Sequence, residues 1–237
     1  MIRKGLLCFL VFWGGNLTAQ EVGRQRLIDH AAIEYLRAAE LQSPLYFGKF
    51  QESQPRSSNH PYLNDAKYTN ARLSYLQIVY PEALLRLDLS RDELVIISPD
   101  FRSIVLFPEN VDYVDLHGQH IIYFRPDNVP GAPSQGYYTL LHSGNCKIMK
   151  KQTAVLTLKN NQSAVAEFIY YFQTRIYLYK DGVYQTIRSK RGLLNVLQPY
   201  KKELKRFIST NQLNYRHNVD AFLIRTINEY EKLSGMQ

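Results

Sequence analysis

The chain has 237 residues, a mass of 27.6 kDa and a formal net charge of +8. Its length fits one large domain, or one domain with an appendage. Hydrophobic residues make up 45% and charged residues 21%, which excludes disorder, collagen and low-complexity filaments as readings of the whole. Two cysteines exclude a disulfide-dense scaffold or a cysteine-rich zinc domain, and 18 tyrosines favour β-structure with half-wet aromatic faces.

Residues 1–20 have the three parts of a secretory leader. Arg3 and Lys4 give a positive start, residues 6–13 are apolar but too short to span a bilayer, and small and polar residues lead to Ala19. Cleavage is expected after Ala19 or Gln20. Cys8 lies inside the apolar run behind Leu6 and Leu7, so lipidation there is rejected. Removal of the leader takes two positive charges, leaving +6, and leaves Cys146 as a lone cysteine expected to be buried. No later apolar run is long enough for a transmembrane helix.

Residues 24–41 read as an amphipathic helix, with Leu27, Ala31, Tyr35 and Ala38 near helical spacing, stopped at Ser43-Pro44. Residues 51–61 are polar and punctuated by proline, hence a loop. From about residue 71 the period becomes two and stays so to about 187. A segment at 72–80 opens this region. Strands are then expected at 84–89, 93–97, 104–107, 111–116, 120–125, 137–142, 146–150, 168–179 and 183–187. Short turns rich in Gly, Asn, Asp and Ser separate most of them, the signature of an antiparallel meander. On the 168–179 strand, Phe168, Tyr170, Phe172, Ile176 and Leu178 form an expected core face. Ile169, Tyr171, Gln173, Arg175, Tyr177 and Tyr179 lie opposite, on a tyrosine-rich face. The loop at 126–136, with three prolines and two glycines, is long enough to carry function.

After 187 the period is helical again. Ser189 caps a helix to 197, Pro199 suits the first turn of another to about 210, and Asn218 caps a third over 219–233. The fold class is therefore α+β: an N-terminal helix, a long antiparallel β-meander forming an open sheet or partial barrel, and a C-terminal helical tail. The expected divisions are a leader at 1–20, a helix plus β-domain at 21–187, and a basic helical tail at 188–237 packed on the same unit.

No chemistry stands out. His117 and His120 flank a turn, but a third metal ligand is not evident. His142 and Cys146 could face each other across a hairpin, without any local sign of thiol activation. Asp88, Asp92 and Glu93 flank one turn, and Asp112 and Asp115 share a later strand, where charges are usually solvated. Gly-x-Ser-x-Gly, Gly-rich phosphate loops and dinucleotide fingerprints are absent from the sequence. No catalytic residue, metal ligand or cofactor is assigned. The strongest electrostatic feature is the segment 188–206, with Arg188, Lys190, Arg191, Lys201, Lys202, Lys205 and Arg206 against Glu203 alone. It suits anionic headgroups, an anionic polymer or an acidic partner, or serves as the solvated face of a helix packed through Leu204, Phe207 and Ile208.

Five stretches together resemble a group of exported proteins of Bacteroidota. They are Ala19-Gln20, Ser43-Pro44-Leu45-Tyr46, residues 75–97 with their Leu-Asp-Leu-Ser-Arg-Asp-Glu-Leu-Val core, the hairpin at 179–184, and the helix at 201–208. The resemblance implies export, into a Gram-negative periplasm, and transfers no site residue.

The expected function is an exported envelope binding or accessory protein without catalytic activity. Its candidate partner-binding residues are Lys201, Lys202, Lys205 and Arg206 on a basic helix and Tyr171, Tyr177 and Tyr179 on the tyrosine face. The expected partner is an envelope protein or an anionic envelope component, and not nucleic acid. Two alternatives stand beside this. One is a periplasmic hydrolase of glycan or peptide using His117, His120, His142 and Cys146 at converging hairpin tips. The other is association with anionic lipid or lipopolysaccharide.

Overall fold

The period of two becomes an antiparallel sheet, as expected, but not one continuous meander. The strands β2–β5 and β6–β11, bounded below, are two meanders joined side by side through β2 and β6, with β1 added beside β5. The computed structural model describes residues 43–126, 128–159 and 167–235, with single positions at 24, 27, 28, 30, 31 and 34. The leader and most of the helix expected over 24–41 lie outside the described residues. Among the described residues there are eleven strands. They are β1 (Lys49–Phe50), β2 (Thr69–Tyr75), β3 (Ile78–Asp88), β4 (Glu93–Ile97), β5 (Ser103–Val105), β6 (Val111–Leu116), β7 (Gln119–Phe124), β8 (Gly136–Ser143), β9 (Lys147–Lys159), β10 (Glu167–Lys180) and β11 (Val183–Ile187). Three helices follow: α1 (Lys190–Val196), α2 (Lys201–Thr210) and α3 (Val219–Leu233). The strands form one open sheet in the order β1-β5-β4-β3-β2-β6-β7-β8-β9-β10-β11, and every pairing is antiparallel.

The segment expected at 72–80 is not one strand. The chain reverses at Leu76-Gln77, both left-handed with φ of 53° and 63°, and β3 starts at Ile78. Pro81 survives within β3 because the register slips there: Ala71 pairs with Ala83, but Leu73 pairs with Tyr80. Two of the expected turns take the left-handed pair that suits hairpins, at His117-Gly118 and Asp181-Gly182. The helix caps also form as expected. Ser189 Oγ accepts the Gly192 N–H at 3.1 Å, and Asn218 Oδ1 accepts the Ala221 N–H at 2.9 Å.

The sheet curls, though its end strands do not pair. The turn between β3 and β4 crosses onto β8 and β9. Ala154 N–H donates to Leu89 C=O at 3.0 Å, and Lys151 Nζ lies 2.6 Å from Asp92 Oδ2. The curl encloses a first core that includes Leu73, Tyr80, Leu94, Leu116 and Tyr170. A second core packs Ile148, Ile176 and Leu178 against Leu194, Leu204 and Phe222, which fixes the helices on the sheet. A third, aromatic cluster joins Phe124, Tyr138, Met149 and Tyr184, with Val129 and Ala132 of the 126–136 loop over it.

That loop also closes a sheet edge. Pro130 C=O accepts the Tyr184 N–H at 3.0 Å, on the outer strand β11. Gly131 has φ of 74° and approaches so closely that a Cβ there would sit 2.2 Å from Tyr184 O. The face of β10 expected to be all core is interrupted. Tyr170, Ile176 and Leu178 are buried, but Phe168 and Phe172 are 38% and 51% exposed. Phe172 is bare because β10 runs from the first core at Tyr170 to the second at Ile176, and Phe168 lies before Tyr170, beyond the edge of the first core.

Candidate functional site: a trench between two cores

The bare stretch of β9 and β10 is the floor of a trench. Cross-strand register puts Phe172 beside Ala154, Thr174 beside Gln152 and Ile176 beside Lys150, all on one face. Thr174 and Gln152 are thus a polar pair between an apolar pair, Phe172–Ala154, and the mixed pair Ile176–Lys150. One hollow of about 310 Å³ lies toward the first core, lined by His60, Tyr62, Asn64, Gln152 and Phe172 among others. A larger one of about 780 Å³ lies toward the helices, where Gln152 and Thr174 meet Tyr215, Val219 and Asp220. Gln152 borders both.

The polar groups of the trench are incompletely used. Gln152 Oε1 and His60 Nδ1 are shut off from solvent without a hydrogen-bond partner among the described residues. Such atoms lose the bonds they make in water and gain nothing in return. Lys150 and Asp220 form an ion pair across the trench wall. Arg175 and Arg188 are different. Both line the larger hollow, both are exposed, and neither has a carboxylate partner among the described residues. Arg188 follows Ile187, which pairs with Ile176, so the two guanidinium groups are brought to neighbouring positions.

The residues predicted from sequence divide among several places. Lys202 and Arg206 lie on the side of α2 opposite the buried Leu204 and Ile208, Lys205 flanks them, and Lys201 sits in the first turn nearer the buried side, half-buried. Lys201 donates to Asn195 Oδ1 at 2.7 Å, while Lys202, Lys205 and Arg206 are exposed. The tyrosine face is not one surface. Tyr177 packs edge-on to Tyr138 and Tyr179 lies against Tyr184, so both belong to the aromatic cluster. Tyr171 stands apart, 55% exposed.

The histidines have separate partners. His120 Nδ1 is 2.7 Å from Asp115 Oδ1, and its ring is tilted against Tyr113. His142 Nε2 is 3.0 Å from Glu231 Oε2 on α3, and Glu231 Oε1 accepts the Cys146 N–H at 2.8 Å. Glu231 is therefore a clasp between the β8–β9 turn and the last helix. Cys146 is buried as expected, and burial together with the Glu231 carboxylate pushes its thiol up to about 11. An attacking thiolate needs the opposite shift. Native Cys146 should accordingly react with iodoacetamide at pH 8 at least ~100-fold more slowly than the urea-unfolded chain. Mass spectrometry of timed samples checks this, and equal rates would remove the buried-thiol assignment. No group of three or more His, Cys, Asp or Glu among the described residues is arranged to hold a metal ion. No helix among them is long and apolar enough to cross a membrane.

Gln152, Thr174 and His60 were not singled out from sequence. The available signal was a polar break at the same point of two apolar alternations: Thr174 between Phe172 and Ile176, and Gln152 between Ile148 and Leu156. Comparison with protein-family models, with curated proteins and with solved structures finds no match to the chain.

Proposed function

We propose that the chain is an exported cell-envelope binding protein, without catalytic activity of its own, that takes an anionic ligand at the β10–β11 edge of the trench. The observation that carries this reading is the pair Arg175 and Arg188, side by side at a hollow of about 780 Å³ and without carboxylate partners among the described residues. Unpaired guanidinium groups in a concave site favour carboxylate or phosphate. Asp220, a carboxylate of the trench, is occupied by Lys150, so it is poorly placed to act as a base. Export rests on the leader at 1–20, and a Gram-negative periplasm on the resemblance of the five stretches. The exposed Lys202, Lys205 and Arg206 offer a second, flatter basic surface to the same kind of partner.

Crosslinked affinity capture from envelope extract tests the proposal and separates the two surfaces. Three baits are compared: the wild type, R175E/R188E, and K201E/K202E/K205E/R206E. Wild-type capture should fall as salt is raised, since screening weakens exposed charges. The arginine pair should lose at least ~10-fold of the captured partner. Capture that survives R175E/R188E but not the quadruple change would move the site to α2. Capture indifferent to both and to salt would end the anionic-ligand reading.

A further inference from the structure

Part of β10 lacks a neighbour on one side. β11 pairs with it only from Ile176 to Lys180. At the other end a side chain replaces a strand. Asn59 Oδ1 accepts the Tyr170 N–H at 2.7 Å, and Asn59 Nδ2 donates to Tyr170 C=O at 2.9 Å. Ser58 N–H also donates to Phe168 C=O at 2.9 Å. In an extended strand the N–H and C=O of one residue point to the same edge, and successive residues alternate. Tyr170 therefore turns its pair away from β9, and so do Phe172 and Thr174, because the β9–β10 register is unbroken from Glu167 to Tyr179. Two N–H and two C=O groups thus face a gap between Asn59 and β11. No hydrogen bond among the described residues takes them up.

The gap opens onto the trench. Phe172 borders the smaller hollow, and Thr174, Arg175, Thr186 and Arg188 border the larger. Free donors and acceptors at strand spacing match a peptide backbone, which is the basis of recognition by strand addition. Arg175 and Arg188 occupy what would be facing positions just beyond the Ile176–Ile187 pair. Like charges so placed repel, and a carboxylate between them relieves the repulsion.

We propose that the gap receives an extended acidic peptide segment of a partner protein, added to β10 as a short antiparallel strand in line with β11. This deepens the binding reading above and rests on it. The register gives a sequence rule. The residue opposite Thr174 lies beside the Thr174 hydroxyl on the same face, where Ser, Thr or Asn can hydrogen-bond to it across the strands. The next, opposite Gln173, shares the face of Arg175 and is Asp or Glu. The third, opposite Phe172, is apolar.

A random dodecapeptide display library panned against the protein, with R175E/R188E as the counter-target, tests the rule. Enriched peptides should carry the donor–acid–apolar order. They should bind R175E/R188E at least ~10-fold more weakly by fluorescence anisotropy. They should also slow amide exchange at Phe172 and Thr174, read by NMR. Thr174→Pro should abolish binding. A peptide N-methylated at the residue opposite Thr174 should fail in the same way, without any change to the protein. Enrichment of other patterns, or binding that leaves both amides exchanging freely, overturns strand addition. So does protection of both amides in the free protein, which would mean the edge is already filled. Tetragalacturonate is the second probe. If it binds in an Arg175- and Arg188-dependent way with the amides still free, the anionic-ligand reading survives and the peptide proposal does not. If neither peptide nor tetragalacturonate binds, both fall.

Discussion

Asp88→Ala should lower stability by about 3 kcal/mol and the melting temperature by roughly 6–12 °C, at 2–4 °C per kcal/mol for a domain of this size. Asp88 is completely buried, at 0% exposure, and no cation is paired with it among the described residues. Donors hold it instead. Oδ1 accepts the Ser90 N–H at 2.9 Å, the Ser90 hydroxyl at 2.8 Å and the Arg91 N–H at 3.1 Å. Oδ2 accepts the side-chain amides of Gln51 and Gln54. One carboxylate thus shapes the turn after β3 and ties down the polar segment beyond β1. Removal strands several donors at once, the costly direction of hydrogen-bond loss. Asp88→Asn keeps an acceptor and should lose less than half as much. Urea unfolding measures the stability, and limited proteolysis should show the alanine variant newly cut between 51 and 61. A melting temperature within 2 °C of wild type for Asp88→Ala would contradict this account.

The second large effect is an asymmetry within one ion pair. Asp92→Asn should cost about 3 kcal/mol, whereas Lys151→Met should cost under ~1 kcal/mol. Lys151 is buried, with Asp92 Oδ2 at 2.6 Å and the Tyr138 ring centroid at 4.9 Å as its charged and aromatic partners. Without Asp92 the ammonium is left uncompensated in the protein interior. Without Lys151, Asp92 still reaches water and still accepts the Tyr137 N–H at 3.3 Å. Asparagine tolerates the left-handed φ of 57° at position 92, so that substitution isolates the charge.

Burial outweighs the pull of Asp92 and holds the Lys151 ammonium below its ordinary value of 10.5. The unfolded chain then binds that proton more tightly than the native one, so this group makes stability rise as pH climbs toward 10.5. Lys151→Met lacks the dependence. The wild-type-minus-variant difference in unfolding free energy should shift in favour of the wild type between neutral pH and pH ~10. A difference that stays flat would show that the native lysine is not desolvated.

The strands with glycine or asparagine at their turns were legible in the sequence, because those residues adopt left-handed conformations cheaply. The turn at Leu76-Gln77 was not, since neither residue advertises positive φ. Nor was the start of β3, because Pro81 reads as a break unless a bulge accommodates it. β9 was expected to end at 150, yet it runs to Lys159: its second half is polar on one side and lacks the continuous apolar signal of a buried strand. The helical tail was legible nearly to the residue through Ser189 and Asn218. The trench was half visible. Its polar breaks, Thr174 and Gln152, lie in plain alternations, but only the pairing of β9 with β10 puts them together. Arg175 and Arg188 depend on a single residue of register. A turn spanning Lys180 to Gly182 pairs Tyr179 with Val183 and sets Arg175 opposite Ile187. The two-residue turn at Asp181-Gly182 sets Arg188 there instead. On α2, helical spacing groups Lys202, Lys205 and Arg206 on the exposed side, whereas Lys201, one turn before Leu204 and Ile208, falls nearer the buried side.

The capped edge of β11 bears on how the protein meets its own copies. Fibril growth by templating needs an open row of backbone groups, typically six or seven residues long. Pro130 and Gly131 deny such a row at one end of the sheet, and at the other β1 offers only Lys49 and Phe50. The opening at Phe172 and Thr174 is too short to seed a second sheet and is walled on both sides. Blunted at both ends, an eleven-stranded sheet of this kind is expected to resist edge-to-edge pairing with its own copies, while still keeping a short length of backbone exposed.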